Sequence, residues 1–86
     1  MILIVEDEAK IARFVQLELE HEGYEVRHIS DGRTALESAL AHDYDLIILD
    51  LMLPGMSGIE LLRRLRQTKD TPVLILTARD QIMDKV

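Results

Sequence analysis

The sequence predicts an α/β fold, a parallel sheet with helices packed on both faces. Three short runs, Ile2-Leu3-Ile4-Val5, Leu46-Ile47-Ile48-Leu49 and Val73-Leu74-Ile75-Leu76, are apolar without interruption, as strands buried on both faces must be. Between them lie segments whose apolar residues recur at helical spacing. The resulting order, β-α-β-α-β-α-β-α, calls for parallel strands joined by right-handed helical crossovers.

Residues 2–5 form the first strand. From about Ala9 to Glu22 the period changes. Ile11, Val15 and Leu19 recur every four residues with Phe14 beside them, and Lys10, Arg13, Gln16 and Glu20 fill the other face. That is an amphipathic helix, and Gly23 is its C-terminal stop. Tyr24 to Ile29 alternates more than the first strand and belongs nearer a sheet edge. Asp31-Gly32 marks a turn, and Ala35, Leu36, Ala39 and Leu40 give a second helix over Thr34 to His42. Leu46 to Leu49 is the third strand. Ser57 can cap a helix running to about Gln67, with Ile59, Leu62 and Leu65 as its inner face. Val73 to Leu76 is the fourth strand, and Asp80 to Val86 reads as the first turns of a further helix.

The 86 residues, 48% apolar and 30% charged, suit one globular domain with a small core. A chain of this size removes roughly 60–65% of its unfolded surface from water on folding. With 16 acids against 10 bases the net charge is −6, so this surface repels phosphate backbones and is a poor nucleic-acid ligand by itself. There are no cysteines, which excludes disulfides and thiolate metal sites and fits a reducing compartment. The apolar opening is cut off by Glu6-Asp7-Glu8, and no apolar run approaches the ~20 residues needed to span a bilayer. The expectation is a cytoplasmic protein with no membrane partner.

The acids hold the chemistry. In an open parallel sheet, ligands gather outside the carboxyl ends of the strands, where strand order reverses. Glu6 and Asp7 follow the first strand, Asp50 ends the third and Thr77 follows the fourth. Taken singly, Asp7 or Asp50 reads as a turn or capping residue, Thr77 as a capping hydroxyl, and Met52 and Met56 as packing or loop residues. Glu8 suits the first turn of a helix. If the first and third strands are neighbours, however, Glu6, Asp7 and Asp50 converge. Three anions in one pocket raise one another's pKa values unless a cation joins them. Oxygen donors without His or Cys favour a hard ion such as Mg²⁺.

The stretches "ILIVEDE" (2–8), "DLIILDLMLPGMSGIELLRRLR" (45–66) and "TPVLILTARD" (71–80) resemble the receiver domain of bacterial two-component response regulators. An acidic pair after strand one, an Asp with Pro four and Gly eight residues later, and Thr-Ala after strand four make a specific combination. "LMLPG" and "LTAR" look like the OmpR/PhoB subfamily in particular. The resemblance covers the whole chain. It implies a flavodoxin-like (CheY-like) three-layer αβα sandwich with strand order 2-1-3-4.

It also implies a phosphoryl-accepting switch. Asp50 would be the phosphoacceptor, taking its phosphoryl group from a sensor histidine kinase. Asp7 would bind Mg²⁺ directly, Glu6 through water, Asp50 beside them, and the Met52 backbone carbonyl would supply a further ligand. Thr77 would be the switch residue and Ala78 its small neighbour, while Pro54 and Gly58 would shape the loop after strand three. The apolar residues flanking Asp50 would fix its orientation at a strand end.

The family has a fifth strand, a lysine after it and a last helix. Here the lysines are Lys10, Lys69 and Lys85, and none follows a fifth strand, so no residue of this chain takes the catalytic-lysine role. The expectation is a partial receiver domain over residues 1–86, running from the first strand to the start of a fourth helix, without an output domain. Weak Mg²⁺ binding and slow uptake of phosphate from a small donor would follow. Phe14, Leu17 and the outer side chains of Val73–Leu76 would be exposed or meet a second chain, so a homodimer is expected. DNA binding and transcriptional control would belong to an output domain.

Two other chemistries fare worse. A haloacid-dehalogenase-type phosphatase wants a second Asp two residues after the nucleophile, where this chain has Met52. A dinucleotide-binding unit wants a Gly-rich loop after strand one, where this chain has Glu6-Asp7-Glu8. A pure interaction module of the same fold is the remaining alternative. Asp50→Asn, read by Mg²⁺-dependent phosphorylation, separates it from the switch.

Overall fold

The computed structural model describes residues 1–76. Four strands, β1 (Ile2–Val5), β2 (Val26–Ile29), β3 (Leu46–Asp50) and β4 (Val73–Leu76), alternate with three helices, α1 (Ala9–His21), α2 (Gly32–Ala41) and α3 (Gly58–Leu65). The sheet is parallel throughout, in the order β2-β1-β3-β4. The expected α/β architecture and strand order are therefore present. The helix expected from Asp80 lies outside the described residues.

Alternation along the strands divides the core in two. Leu3, Val5, Ile47 and Leu49 pack with Ala35, Leu36 and Ala39 of α2 and with Leu61 and Leu65 of α3. Ile2, Ile4 and Ile48 face the other way, onto Ala12 of α1, with Val15 and Leu19 partly buried beside them. Burial on both faces explains why β1 and β3 tolerate no polar residue before their ends. The α1 face is the thinner of the two. Phe14 is 65% exposed and Leu17 51%, and Leu74 on β4 is 55% exposed.

Local chemistry sets the helix starts. Asp31 accepts from the Thr34 N–H at 3.0 Å and Ser57 from the Glu60 N–H at 3.2 Å, so each caps a first turn. Glu8 is the residue before α1 rather than in its first turn, and its side chain makes no capping bond.

Three expectations shift. β2 begins at Val26, two residues later than its alternation suggests. α2 begins two residues earlier than Thr34 because Asp31 acts as a cap and not only as a turn residue. On α3 the inner face is Leu61 and Leu65, with Leu62 partly buried, while Ile59 is 63% exposed. The helix is short, and its rotation follows from Gly58, which must lie against the end of β3. That fixes the buried stripe at positions 58, 61 and 65.

Candidate functional site

Sheet order creates the site. β1 sits between β2 and β3, so the chain crosses to one side of β1 and then to the other, and the carboxyl ends of β1 and β3 flank the reversal. Val5 is level with Leu49, which brings the next residues, Glu6 and Asp50, side by side. Even-numbered positions of both strands face α1. Glu6 and Asp50 continue that alternation and emerge on the same side of the sheet.

Glu6, Asp7 and Asp50 each offer a carboxylate oxygen within 4.8 Å of the others. Glu6 is buried at 1% exposure and Asp50 at 7%, whereas Asp7 is exposed. Among the described residues none of the three takes part in an ion pair. One Glu6 oxygen, Oε2, accepts the Glu8 N–H at 2.9 Å, but Oε1 is buried without a hydrogen-bond partner. A buried carboxylate oxygen in that state costs free energy unless a proton shared with a neighbouring carboxylate, or a group from outside the chain, completes it. Burial pushes the Glu6 pKa up to about 7, and the charges of Asp50 and Asp7 push the same way against the Glu8 N–H. The site holds negative charge only at a cost, which is the condition for binding a cation. Its donors are all oxygen, as a hard divalent ion prefers.

The loop after β3 is folded back tightly onto the site. Asp50 Oδ1 accepts the Met52 N–H at 3.1 Å, and the Gly58 N–H donates to the Leu51 carbonyl at 2.9 Å. A Cβ at Gly58 would overlap the Asp50 carbonyl oxygen and lie 2.6 Å from Leu51 Cα, so α3 can start this close to the strand end only with glycine there. Gly55, just after Pro54, takes φ +83, a conformation that glycine alone adopts readily. The far side of the loop is tied to α2, since the Gly32 N–H donates to the Pro54 carbonyl at 3.2 Å. The Met52 side chain is 57% exposed and contributes nothing to the core.

Of the residues singled out in the sequence, Glu6, Asp7 and Asp50 come together, and Met52, Pro54 and Gly58 belong to the loop beside them. Thr77 and Ala78 lie outside the described residues. Lys69 is engaged elsewhere. Its Nζ donates to Asp43 Oδ1 at 2.9 Å and to the His42 carbonyl at 2.8 Å.

One participant was not anticipated. His28 on β2 places Nε2 2.7 Å from the Glu6 carbonyl oxygen. It lies opposite Ile4, on the α1 side of the sheet, a register that spacing and composition do not reveal.

Comparison with known proteins gives one consistent answer. The response regulator receiver domain family matches residues 2–86. Response regulator ArlR of Staphylococcus saprophyticus is 55% identical over 85 residues, which cover 99% of this chain and 39% of that protein. This chain therefore spans well under half the length of the curated relatives it matches. Among solved structures, the response regulator TrrA of Thermotoga maritima in complex with Mg²⁺-BeF superposes with a TM-score of 0.86. It is 37% identical, over 99% of this chain and 75% of that one. TrrA in complex with the histidine kinase ThkA gives a TM-score of 0.82 and 41% identity, over 90% and 67% of the two chains.

Proposed function

This chain belongs to the response regulator receiver domain family, and on that premise we propose that it is a phosphoryl-accepting switch centred on Asp50. The convergence of Glu6, Asp7 and Asp50 within 4.8 Å, at the sheet's point of strand reversal, carries the reading. The buried, unpartnered Glu6 Oε1 and the all-oxygen donor set fit Mg²⁺. Asp7 would hold it directly, Glu6 through water, and Asp50 and the Met52 carbonyl would complete the protein's share. When bound, Mg²⁺ offsets negative charge on the transferring phosphoryl oxygens.

The chain's own groups do the positioning. The Met52 N–H steadies Asp50 Oδ1 and leaves Oδ2 as the attacking oxygen. A lone pair of that oxygen forms the O–P bond while the P–N bond of a phosphohistidine breaks. The departing imidazole keeps the electron pair and takes a proton from solvent. A carboxylate is a serviceable nucleophile in such transfers, and little beyond alignment and charge compensation is needed. Pro54 and Gly58 act indirectly, by keeping the loop folded against the strand end. Thr77 would turn its hydroxyl toward the new phosphoryl group, with Ala78 leaving room for it.

The donor is a sensor histidine kinase, as the complex of the relative TrrA with its kinase suggests. The role is that of a regulatory phosphoacceptor rather than an enzyme turning over an external substrate. In the whole protein, phosphorylation would govern transcription through a DNA-binding output domain and a homodimer, in the cytoplasm. Among the described residues, no helix is long and apolar enough to cross a membrane.

Incubation with acetyl phosphate or a phosphorylated kinase, with and without Mg²⁺, tests the proposal. Mass spectrometry should find one added phosphoryl group on Asp50, dependent on Mg²⁺ and absent from Asp50→Asn. Equal labelling of that variant would refute the assignment.

A further inference from the structure

We propose that His28 is a positioning residue for the cation site, its imidazole fixing the peptide unit that joins Glu6 to Asp7. The inference rests on the reading of the acidic cluster given above and extends it to a side chain on a different strand.

The sheet's own hydrogen bonding gives out at this point. The Glu6 N–H still donates to the Ile29 carbonyl at 3.2 Å, as the last rung between β1 and β2. β2 ends at Ile29, and the chain turns through Asp31 into α2. Among the hydrogen bonds of the described residues, no backbone N–H reaches the Glu6 carbonyl. His28 supplies the missing donor, with Nε2 at 2.7 Å. The neutral Nε2–H tautomer and the imidazolium can both make this bond, and the neutral Nδ1–H tautomer cannot.

The carbonyl concerned is central to the site. It belongs to the peptide plane whose other end is the Asp7 nitrogen, so its direction sets how Asp7 leaves the sheet. It also sets the backbone from which the Glu6 side chain reaches the cluster. Without a partner this plane could rotate, and the oxygens of Glu6 and Asp7 would separate or lose their common direction. Groups that hold metal ligands in place from behind typically account for 10- to 100-fold in metal affinity. The effect expected here is at the lower end, because one neutral hydrogen bond to a backbone oxygen is involved. His28 lies opposite Ile4 on an edge strand and is itself exposed, so its replacement removes little core packing.

The test compares His28→Ala with His28→Gln, whose amide nitrogen reaches about as far as Nε2. Mg²⁺ affinity is measured by calorimetry. The Glu6 carbonyl ¹³C and Asp7 amide ¹⁵N resonances are followed in the metal-free protein. His28→Ala should weaken Mg²⁺ about 10-fold and displace both resonances, and His28→Gln should restore affinity to within about threefold along with the resonances. The thermal midpoint should change little in either variant. If the unmodified chain binds Mg²⁺ and His28→Ala binds it equally, the inference is overturned and the site stands. Equal weakening in both variants would also overturn it, because the donor would then be irrelevant. If the unmodified chain binds no Mg²⁺ at all, the reading of the site falls and the inference with it.

Discussion

At the carboxyl ends of β1 and β3, three carboxylates share one small space, and none has an ion-pair partner among the described residues. At the amino ends of the same sheet two of the acids are paired with cations. The Met1 ammonium meets Asp45 at 2.6 Å, and Lys69 meets Asp43 at 2.9 Å. Arg27 donates to the Tyr44 hydroxyl at 3.2 Å, which is in turn 2.6 Å from Ser38 Oγ. The two poles belong to the same sheet but differ in solvent access: Glu6 and Asp50 are 1% and 7% exposed, whereas the side chains of Asp45 and Asp43 are 82% and 97% exposed. Carboxylates crowded as they are at the carboxyl ends repel one another. A ligand of opposite charge would relieve that repulsion, whereas the contacts at the opposite pole tie together β2, α2 and the segments before β1, β3 and β4.

That contrast can be attacked in order of expected effect. Asp50→Asn should lose phosphoryl acceptance altogether, at least ~100-fold, because an amide is not a competent nucleophile here. Tyr44→Phe at the other pole should leave the rate as it was, and parallel labelling time courses decide between them. Next in size is the response to Mg²⁺. At about 100 times its dissociation constant, the ion should stabilise the folded chain by about 2.7 kcal/mol, and Asp7→Asn should abolish most of that gain in thermal melts.

Tyr44→Phe should in turn cost about 0.5–1.5 kcal/mol through the Arg27 and Ser38 bonds, without altering Mg²⁺ affinity. Equilibrium unfolding in urea measures it.

The smallest effect is that of pH, and its sign differs between the poles. Glu6 in the folded, metal-free protein titrates at about 7, raised chiefly by burial from an unfolded value of 4.5. The folded state therefore binds this proton more tightly. The stability Glu6 contributes is full below about 4.5 and is lost as pH rises through 7. Asp43 is lowered by its hydrogen bond to Lys69, so its contribution is present above the ordinary Asp value and lost as pH falls. Glu6→Gln should flatten the first dependence and spare the second. Melting curves from pH 4 to 8, without metal, report both.

Much of this was legible in the sequence because the relevant signals are local. Uninterrupted apolar runs located β1, β3 and β4, and four-residue spacing located α1. The acids after the first and third runs marked a candidate edge only jointly, since each taken singly reads as a turn or capping residue. The neighbouring of β1 and β3 was the step that residues alone left open. Family resemblance supplied that order, and the parallel pairing of Val5 with Leu49 shows it. What was not legible depends on register and rotation. The buried face of α3 turns on how closely Gly58 approaches the Asp50 carbonyl, which periodicity over eight residues does not reveal. The bond from His28 to Glu6 depends on β2 ending one rung short of the acidic loop, and the Arg27–Tyr44–Ser38 chain depends on a loop conformation. Neither leaves a mark in spacing or composition.

The most direct test of the central claim uses Mn²⁺ as a paramagnetic substitute for Mg²⁺ in amide NMR spectra. At substoichiometric Mn²⁺, the resonances of Glu6, Asp7, Asp50, Leu51 and Met52 should broaden first, while Arg27, Tyr44 and Lys69 stay sharp, and excess Mg²⁺ should reverse the effect. Broadening centred on Asp43 and Asp45, or spread evenly over the acidic surface, would contradict it.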